Sequence, residues 1–264
     1  MASGTKNKGK KGGGVKAARA SVVANKGKPW GTILGVLAVL VVAGVVFTYA
    51  IMQVNAAKEF TVSEDNQDPS ANIPGVVKVT YSPGVHVSPE QRVAYDQKPP
   101  FGGPHDAIWA DCTGVVYPTA VRSENMVHTL EHGAVWIAYN PDQVTGGALD
   151  TLKAKVDGVP YMSMSPYPGL DKPISLQSWG HQLKLDSADD ARIDQFIKSL
   201  RANNYQNPEP GGSCDSNQSG FNLADPPPFV ADTGPDALPM DYSGTAGTAP
   251  DTGMAPTSAA TPGQ

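Results

Sequence analysis

The longest apolar pattern in the chain runs from Gly31 to Met52, 22 residues without a charged side chain. At about 1.5 Å per residue, a helix of this length crosses a hydrocarbon core of roughly 30 Å. We therefore predict one transmembrane helix over 31–52, in contact with the lipid bilayer. A cleaved signal peptide is the alternative, with Val54-Asn55-Ala56 as its cleavage site, but the apolar part of a signal peptide usually has about 7–15 residues. The length favours a retained signal-anchor.

Shorter apolar runs beyond residue 77 predict the elements of one folded domain. Residues 134–139 form a continuous apolar run that ends at Asn140-Pro141, which is typical of a strand buried on both faces. The elements predicted after it are a helix around 149–156, a strand over 161–164, a hairpin of strands over 174–179 and 181–185 with Gly180 at the turn, and a last helix.

That last helix has the clearest helical spacing in the domain. Ile193, Phe196, Ile197 and Leu200 repeat at i, i+3, i+4 and i+7, and Ser187 is the expected N-cap. Together the elements predict an α+β (or α/β) domain, in which a small mixed sheet is covered by two helices.

Composition divides the rest of the chain. We predict a disordered basic arm over 1–30, a polar linker over 53–76, an exterior globular domain over 77–214 and a disordered tail over 215–264. The tail is rich in Pro, Gly, Ala and Thr, and such a composition buries too little apolar surface to offset its ordering entropy.

Charge is distributed very unevenly. The first 30 residues carry eight basic side chains and no acidic one, and because the whole chain has a formal net charge of −5, the remainder carries −13. Positive charge favours the cytoplasmic side, so we expect the N-terminus inside and the domain outside the plasma membrane. The arm would then lie against the anionic inner leaflet. The acidic remainder argues against a nucleic-acid partner.

Two cysteines, Cys112 and Cys214, both fall in the exterior domain. Disulfides persist outside the cytoplasm, and a bridge here would close a loop of about 100 residues. Two free thiols or a thiol metal ligand are the alternatives. The absence of a Cys-x-x-Cys pattern favours the disulfide.

All five histidines lie in the same domain, and His128 and His132 would share one helix face at i, i+4. With His105 after a Gly-Gly-Pro turn, they form a candidate site for zinc or copper. Glu124 and Glu131 are candidates to orient the rings. The sulfurs of Met126, Met162 and Met164 would suit copper.

The histidines have two other interpretations. They can be structural residues that hydrogen-bond turns, with His181 as a surface strand residue. His128-x-x-Glu131-His132 also matches an inverted zinc-protease motif, but that motif requires a sustained helix and a third ligand from a second long helix. Here Gly133 and a buried strand follow directly, so we reject the protease interpretation.

One further loop, Ser165-Pro166-Tyr167-Pro168-Gly169-Leu170, is rigid and aromatic. It would either pack locally or present Tyr167 to an envelope protein partner. We find no nucleophile elbow, phosphate-binding loop or dinucleotide fingerprint in the sequence.

Several segments together resemble the actinobacterial membrane-anchored family known as domain of unknown function 3105. The matching stretches are Pro99-Pro100-x-Gly102-Gly103-Pro104-His105, Trp109-x-x-Cys112, Leu130-Glu131-His132-Gly133, Ser165-Pro166-Tyr167-Pro168-Gly169-Leu170, Trp179-Gly180 and Pro208-Glu209-Pro210-Gly211. The resemblance implies a cell-envelope location and a single-pass anchor, and it implies no activity.

The sequence therefore predicts a membrane-anchored, extracytoplasmic interaction or accessory domain, non-enzymatic, in which the histidines are a candidate metal site beside the structural interpretation. The alternative is a metal-dependent enzyme or copper-handling factor that uses His105, His128 and His132.

Overall fold

The computed structural model describes residues 28–243, apart from the side chains of 53–57. The predicted basic arm up to residue 27 and the predicted tail from 244 onward lie outside the described residues. The chain divides into two compact units, Met1–Met52 and Gln53–Gln264.

The N-terminal apolar run forms helix α1, Trp30–Glu59. Its part from Trp30 to Met52 is long and apolar enough to cross a membrane, as the sequence predicts. The helix continues beyond the predicted span and includes the first residues of the predicted linker. That the helix crosses a membrane, and in which direction, stays a prediction.

The second unit is built on a six-stranded mixed sheet with the strand order β1-β8-β7-β5-β6-β4. The strands β4, β5 and β6 are parallel, whereas β5, β7, β8 and β1 pair antiparallel. A separate parallel pair is formed by β2 and β3. The strands are β1 Val77–Lys78, β2 His86–Val87, β3 His105–Asp106, β4 Thr113–Val116, β5 Val135–Tyr139, β6 Met162–Pro166, β7 Ile174–Ser178 and β8 His181–Leu185.

Three helices cover the two faces of this sheet: α2 Ser123–Glu131, α3 Gly146–Val156 and α4 Arg192–Leu200. Side chains alternate across β5, so Val135, Ile137 and Tyr139 face α3 and α4 in a first core cluster. Trp136 and Ala138 face the opposite way, into a second core cluster that includes α2. The mixed α+β class and the buried central strand are therefore confirmed.

The start of the last helix differs from the prediction. Helix α4 begins at Arg192 with Ala191 as N-cap, so Ser187 does not cap it. The Ser187 hydroxyl instead accepts a hydrogen bond from the Asp189 amide, and the Asp190 carboxylate accepts one from the Arg192 amide. Because of these two successive side-chain turns, the helix begins later in the sequence than predicted. Its predicted apolar stripe packs in the first core cluster.

The predicted linker and tail both contribute to the fold. Ser70 and Ile73, from the segment predicted as a linker, are buried. Phe221 is also buried, and Phe229 packs against the second core cluster. The prediction of a structureless tail is thus wrong for residues 215–243, because a few aromatic side chains fill gaps that the rest of the domain leaves open.

Candidate metal centre

The end of helix α2 places two histidines of the candidate centre. The Gly133 amide donates to the Leu130 carbonyl, and the Ala134 amide donates to the Thr129 carbonyl. These two bonds form a Schellman motif, in which Gly133 takes the left-handed conformation at φ 96°. The helix therefore ends at Glu131, and His132 is its C-cap. The rings of His128 and His132 lie next to each other at this end, with centroids 4.7 Å apart.

The pair of short strands brings in two more histidines. His86 in β2 pairs directly with His105 in β3, and their ring centroids lie 5.0 Å apart. The ring of His105 lies 4.8 Å from that of His128, and His86 stacks on His128 at 5.2 Å. Helix α2 and the two strands thus bring three imidazoles together in the interior.

These residues form what we call the inner group: His86, His105, His128 and Glu131. Each offers one ligand atom, and the four atoms all lie within 4.8 Å of one another. Zinc binds imidazole nitrogen at about 2.0–2.1 Å, which separates tetrahedral ligands by roughly 3.4 Å. The four atoms therefore lie at most about 1.4 Å farther apart than the ligands of a tetrahedral zinc ion.

Main-chain carbonyl groups fix the protonation of the rings. The Nδ1 atom of His105 lies 2.8 Å from the Gly103 oxygen, and that of His128 lies 2.6 Å from the Asp106 oxygen. A carbonyl oxygen can only accept, so each Nδ1 carries the proton and donates it. In the neutral ring Nε2 then holds the lone pair, which is the usual arrangement in a metal-binding histidine.

Glu131 is held in the same way. Its Oε1 accepts a hydrogen bond of 2.7 Å from the Gly84 amide, just before β2. Its Oε2 lies 2.8 Å from Nε2 of His105, and both side chains are fully buried. Within the described part of the chain, neither of these two facing atoms has an aligned hydrogen-bond partner. A carboxylate oxygen and an imidazole nitrogen at this distance are stabilised either by a proton between them or by a cation that binds both.

The electrostatics around His128 favour a neutral imidazole. Burial lowers the pKa of His128 well below its usual value, and the neighbouring His105 and His132 lower it further. The hydrogen bond to the Asp106 carbonyl opposes this shift but does not cancel it. A neutral ring has its Nε2 lone pair available for a metal ion.

A buried ion cluster lies behind the inner group. Arg122 pairs with Asp106 and, at 3.2 Å, with Glu124, and all three residues are almost fully buried. The main-chain carbonyl of Asp106 accepts the His128 hydrogen bond, so the residue that pairs with Arg122 through its side chain also holds a ring through its backbone. With its carboxyl groups ionised, the set including Glu131 carries a net charge of −2, which one divalent cation would neutralise.

A second set of ligands, which we call the outer group, consists of His128, His132 and Glu209. Nδ1 of His132 donates to the Ser213 carbonyl at 2.7 Å, and its Nε2 lies 3.1 Å from a Glu209 carboxylate oxygen. The Trp109 ring packs against both histidines of this group, at 5.3 and 4.9 Å.

The Glu209 loop, residues 208–214, is fastened to the domain at both ends. The Glu209 amide donates to the Glu131 carbonyl, and Cys214 forms a disulfide with Cys112 at the start of β4. A Cβ on Gly212 would lie only 2.6 Å from the His132 ring, so the loop approaches this histidine closely. The disulfide predicted from the sequence is present and holds the outer group together.

The structure brings His105, His128 and His132 into one cluster, but it divides them between two groups. His86 and Glu209 also belong to the cluster, and neither was predicted from the sequence to be a ligand. Glu209 lies in the Pro208-Glu209-Pro210-Gly211 segment beside Cys214, which was a usable signal. His86 offered none, because its pairing with His105 depends on a two-residue strand.

The predicted orienting residues behave differently from each other. Glu131 lies at the centre of the inner group and is a candidate ligand rather than an orienting residue. Glu124 pairs with Arg122 and accepts a hydrogen bond from the Val93 amide, so it contacts no imidazole directly. The prediction that Glu124 orients a histidine ring is therefore corrected, because its carboxylate pairs with the buried Arg122 instead.

Three further predictions about side chains near the site are corrected. Met162 and Met164 lie in the first core cluster, on the opposite face of the sheet from α2, where they fill the core. Tyr167 is only 6% exposed, and its ring lies 4.6 Å from that of Phe229, so its own tail covers it. His181 is buried rather than on the surface, 3.6 Å from the Asp68 carboxylate.

Comparison with known proteins identifies one relationship. Residues 86–216 match the family model described as "Protein of unknown function (DUF3105)". The match begins at His86 of the inner group and ends two residues beyond Cys214, so it includes every member of both groups. No curated protein and no solved structure matches the chain. Over residues 86–216, the chain thus resembles the DUF3105 family, as its sequence motifs predict.

Proposed function

We propose that this protein is a membrane-anchored, extracytoplasmic metal-binding protein that holds one divalent transition-metal ion in the inner group. The observation that carries this proposal is the common orientation of the rings. His105 and His128 donate through Nδ1 to main-chain carbonyls, which leaves Nε2 of each ring as the metal-binding nitrogen, and Nε2 of His105 lies 2.8 Å from a Glu131 carboxylate oxygen. A polar cluster of this kind is costly to bury unless a cation completes it.

The donor set favours zinc. Three imidazoles and one carboxylate supply borderline nitrogen and hard oxygen ligands, which suit Zn²⁺ in tetrahedral geometry. Copper(I) prefers thioether sulfur, and Met162 and Met164 pack on the other face of the sheet. Copper(II) accepts the same nitrogen and oxygen ligands, so it is the second candidate ion.

The enclosure of the inner group favours a non-enzymatic role. A catalytic zinc keeps one coordination position open for water or substrate, whereas a structural zinc has four protein ligands. Here four ligands are available, and the side chains of His105 and Glu131 have no exposed surface. We therefore favour metal storage, delivery or stabilisation of the fold over hydrolysis.

The exterior location follows from charge and redox chemistry. The eight basic residues before the apolar helix favour a cytoplasmic N-terminus, and the Cys112–Cys214 disulfide persists in an oxidising compartment. Both arguments lead to the same orientation, with the metal centre outside the membrane.

Metal titration of the purified full-length chain in detergent tests the proposal. After treatment with a chelator, calorimetric titration with zinc chloride should give one equivalent per chain, and elemental analysis after gel filtration should find the same ratio. Zinc at 100 times its Kd should stabilise the fold by about 2.7 kcal/mol. Copper(II) and manganese(II) titrations compare the competing ions.

Matched variants identify the ligands. His105→Gln and Glu131→Gln should each weaken zinc binding at least 100-fold. His181→Gln is the control, because His181 also donates through Nδ1 to a carbonyl and faces a carboxylate, yet it belongs to neither group. The proposal would be contradicted if wild-type protein bound less than a tenth of an equivalent of each of the three metals, zinc, copper(II) and manganese(II).

A further inference from the structure

His128 belongs to both ligand groups but has only one atom to offer. Its Nδ1 donates to the Asp106 carbonyl, so Nε2 is the one nitrogen that can bind a metal ion. An imidazole nitrogen has a single lone pair and binds one ion at a time. The inner and outer groups are therefore alternative positions for one ion, and not two sites that fill together.

The two groups differ in their access to solvent. In the inner group the side chains of His105 and Glu131 are completely buried. In the outer group the Glu209 side chain is 38% exposed, next to His132 at 4%. An ion arriving from solvent therefore meets an exposed carboxylate at the outer group. The carboxylate of the inner group, Glu131, is completely buried, and the partly exposed member there is the imidazole of His86.

The path between the groups is short and lined with ligands. Ring centroids lie 4.7 Å apart for His132 and His128, and 4.8 Å apart for His128 and His105. An ion held by Nε2 of His128 can exchange Glu209 and His132 for Glu131 and His105 without losing that nitrogen. One imidazole and one carboxylate replace another imidazole and carboxylate, so the ligand types are the same at both positions.

Resting on the proposed metal function, we propose that the outer group is the loading position of the inner group. A divalent ion is captured by Glu209 and His132, is bound by His128, and passes inward to Glu131 and His105. Glu209 accordingly controls the rate at which the ion is taken up and released, whereas the inner ligands determine the equilibrium affinity.

Kinetics on the full-length chain in detergent test this assignment. Chelator-treated protein is mixed with the coloured complex of zinc and 4-(2-pyridylazo)resorcinol, and the fall in absorbance gives the rate of zinc uptake. Glu209→Gln keeps the size of the side chain and removes its charge. We expect uptake to slow at least tenfold, with a Kd within threefold of wild type and one equivalent bound. Glu64→Gln is the charge-matched control, at an exposed position outside both groups.

His132→Ala is the second variant and should slow uptake in the same way. Unchanged or faster uptake in both variants would overturn the loading role while leaving the inner site intact. Two equivalents bound by wild type would show that His128 is not shared. If Glu209→Gln weakened zinc affinity as much as Glu131→Gln does, the outer group would be the position that holds the ion at equilibrium. Failure of wild type to bind zinc at all would instead refute the proposed function.

Discussion

The Glu131 carboxylate and the His105 imidazole face each other at 2.8 Å, both with fully buried side chains. Neither facing atom has an aligned hydrogen-bond partner among the described residues. Two explanations are available for such a contact. Either His105 is protonated and forms a buried ion pair with Glu131, or the two atoms are ligands of a shared metal ion.

Glu131→Gln separates these explanations in the metal-free protein. Loss of one member of a true buried ion pair costs about 3–5 kcal/mol, because the other charge remains unpaired. If the pair is a metal site, the substitution removes an uncompensated buried charge, and the metal-free variant should be as stable as wild type or more stable. Gln can still accept the Gly84 hydrogen bond. Urea unfolding in the presence of a chelator measures the difference, and a loss of 3 kcal/mol or more would support the ion pair.

Residues 215–243 should be necessary for full stability. A chain that ends at Cys214 loses the buried Phe221 ring and the cover that Phe229 gives to Tyr167. Removing one buried aromatic ring typically costs about 3–5 kcal/mol, so we expect a loss of at least that size in chemical denaturation. A chain that ends at Ser243 is the matched control, because it keeps every contact of the described residues. Equal stability of the two truncated chains would contradict this prediction.

The Cys112–Cys214 disulfide should stabilise both the domain and the outer group. The two cysteines are 102 residues apart, and the chain-entropy relation gives roughly 4–5 kcal/mol for a loop of that size. The double variant Cys112→Ser/Cys214→Ser should therefore unfold at a lower urea concentration than oxidised wild type. Wild type treated with a reductant should show the same decrease. Labelling of the denatured, unreduced protein with a thiol reagent should detect no free thiol, and two labelled thiols would contradict the pairing.

Asp68 should contribute a pH-dependent part of the stability. Burial acts to raise its pKa, but the neighbouring His181 and the hydrogen bonds from Lys78 and Ser70 outweigh burial and lower the pKa below the usual 3.8. A carboxyl group whose pKa is lower in the folded state stabilises the fold above its unfolded pKa, and this contribution is lost as the pH falls below that value.

The variant Asp68→Asn tests this dependence. Because Lys78 is half exposed, we expect it to cost only about 1 kcal/mol at pH 7. The gap to wild type should shrink as the pH falls below about 4, in urea unfolding curves recorded between pH 7 and pH 3. Asp65→Asn, at an exposed position, should show no such gap. A constant gap across this range would assign the effect of Asp68 to packing and not to its charge.

The sequence by itself determined the features that depend on short-range patterns. The apolar run of α1, the buried strand β5 and the stripe of α4 each follow from hydrophobic spacing within about a dozen residues. The β7–β8 hairpin follows from its glycine turn, and the disulfide follows from there being only two cysteines in the chain. Local spacing predicts these elements because the apolar side chains recur with the period of a single helix or strand.

Only the tertiary structure decided which polar side chains meet. His86 reaches the inner group through a two-residue strand pair, and Glu209 reaches the outer group through a loop fastened by a disulfide. Tyr167 is buried because Phe229, from a segment of unpromising composition, covers it. Periodicity contains no information about such contacts, since they join residues that are far apart in the chain. They depend on how the sheet, α2 and the C-terminal segment pack together in three dimensions.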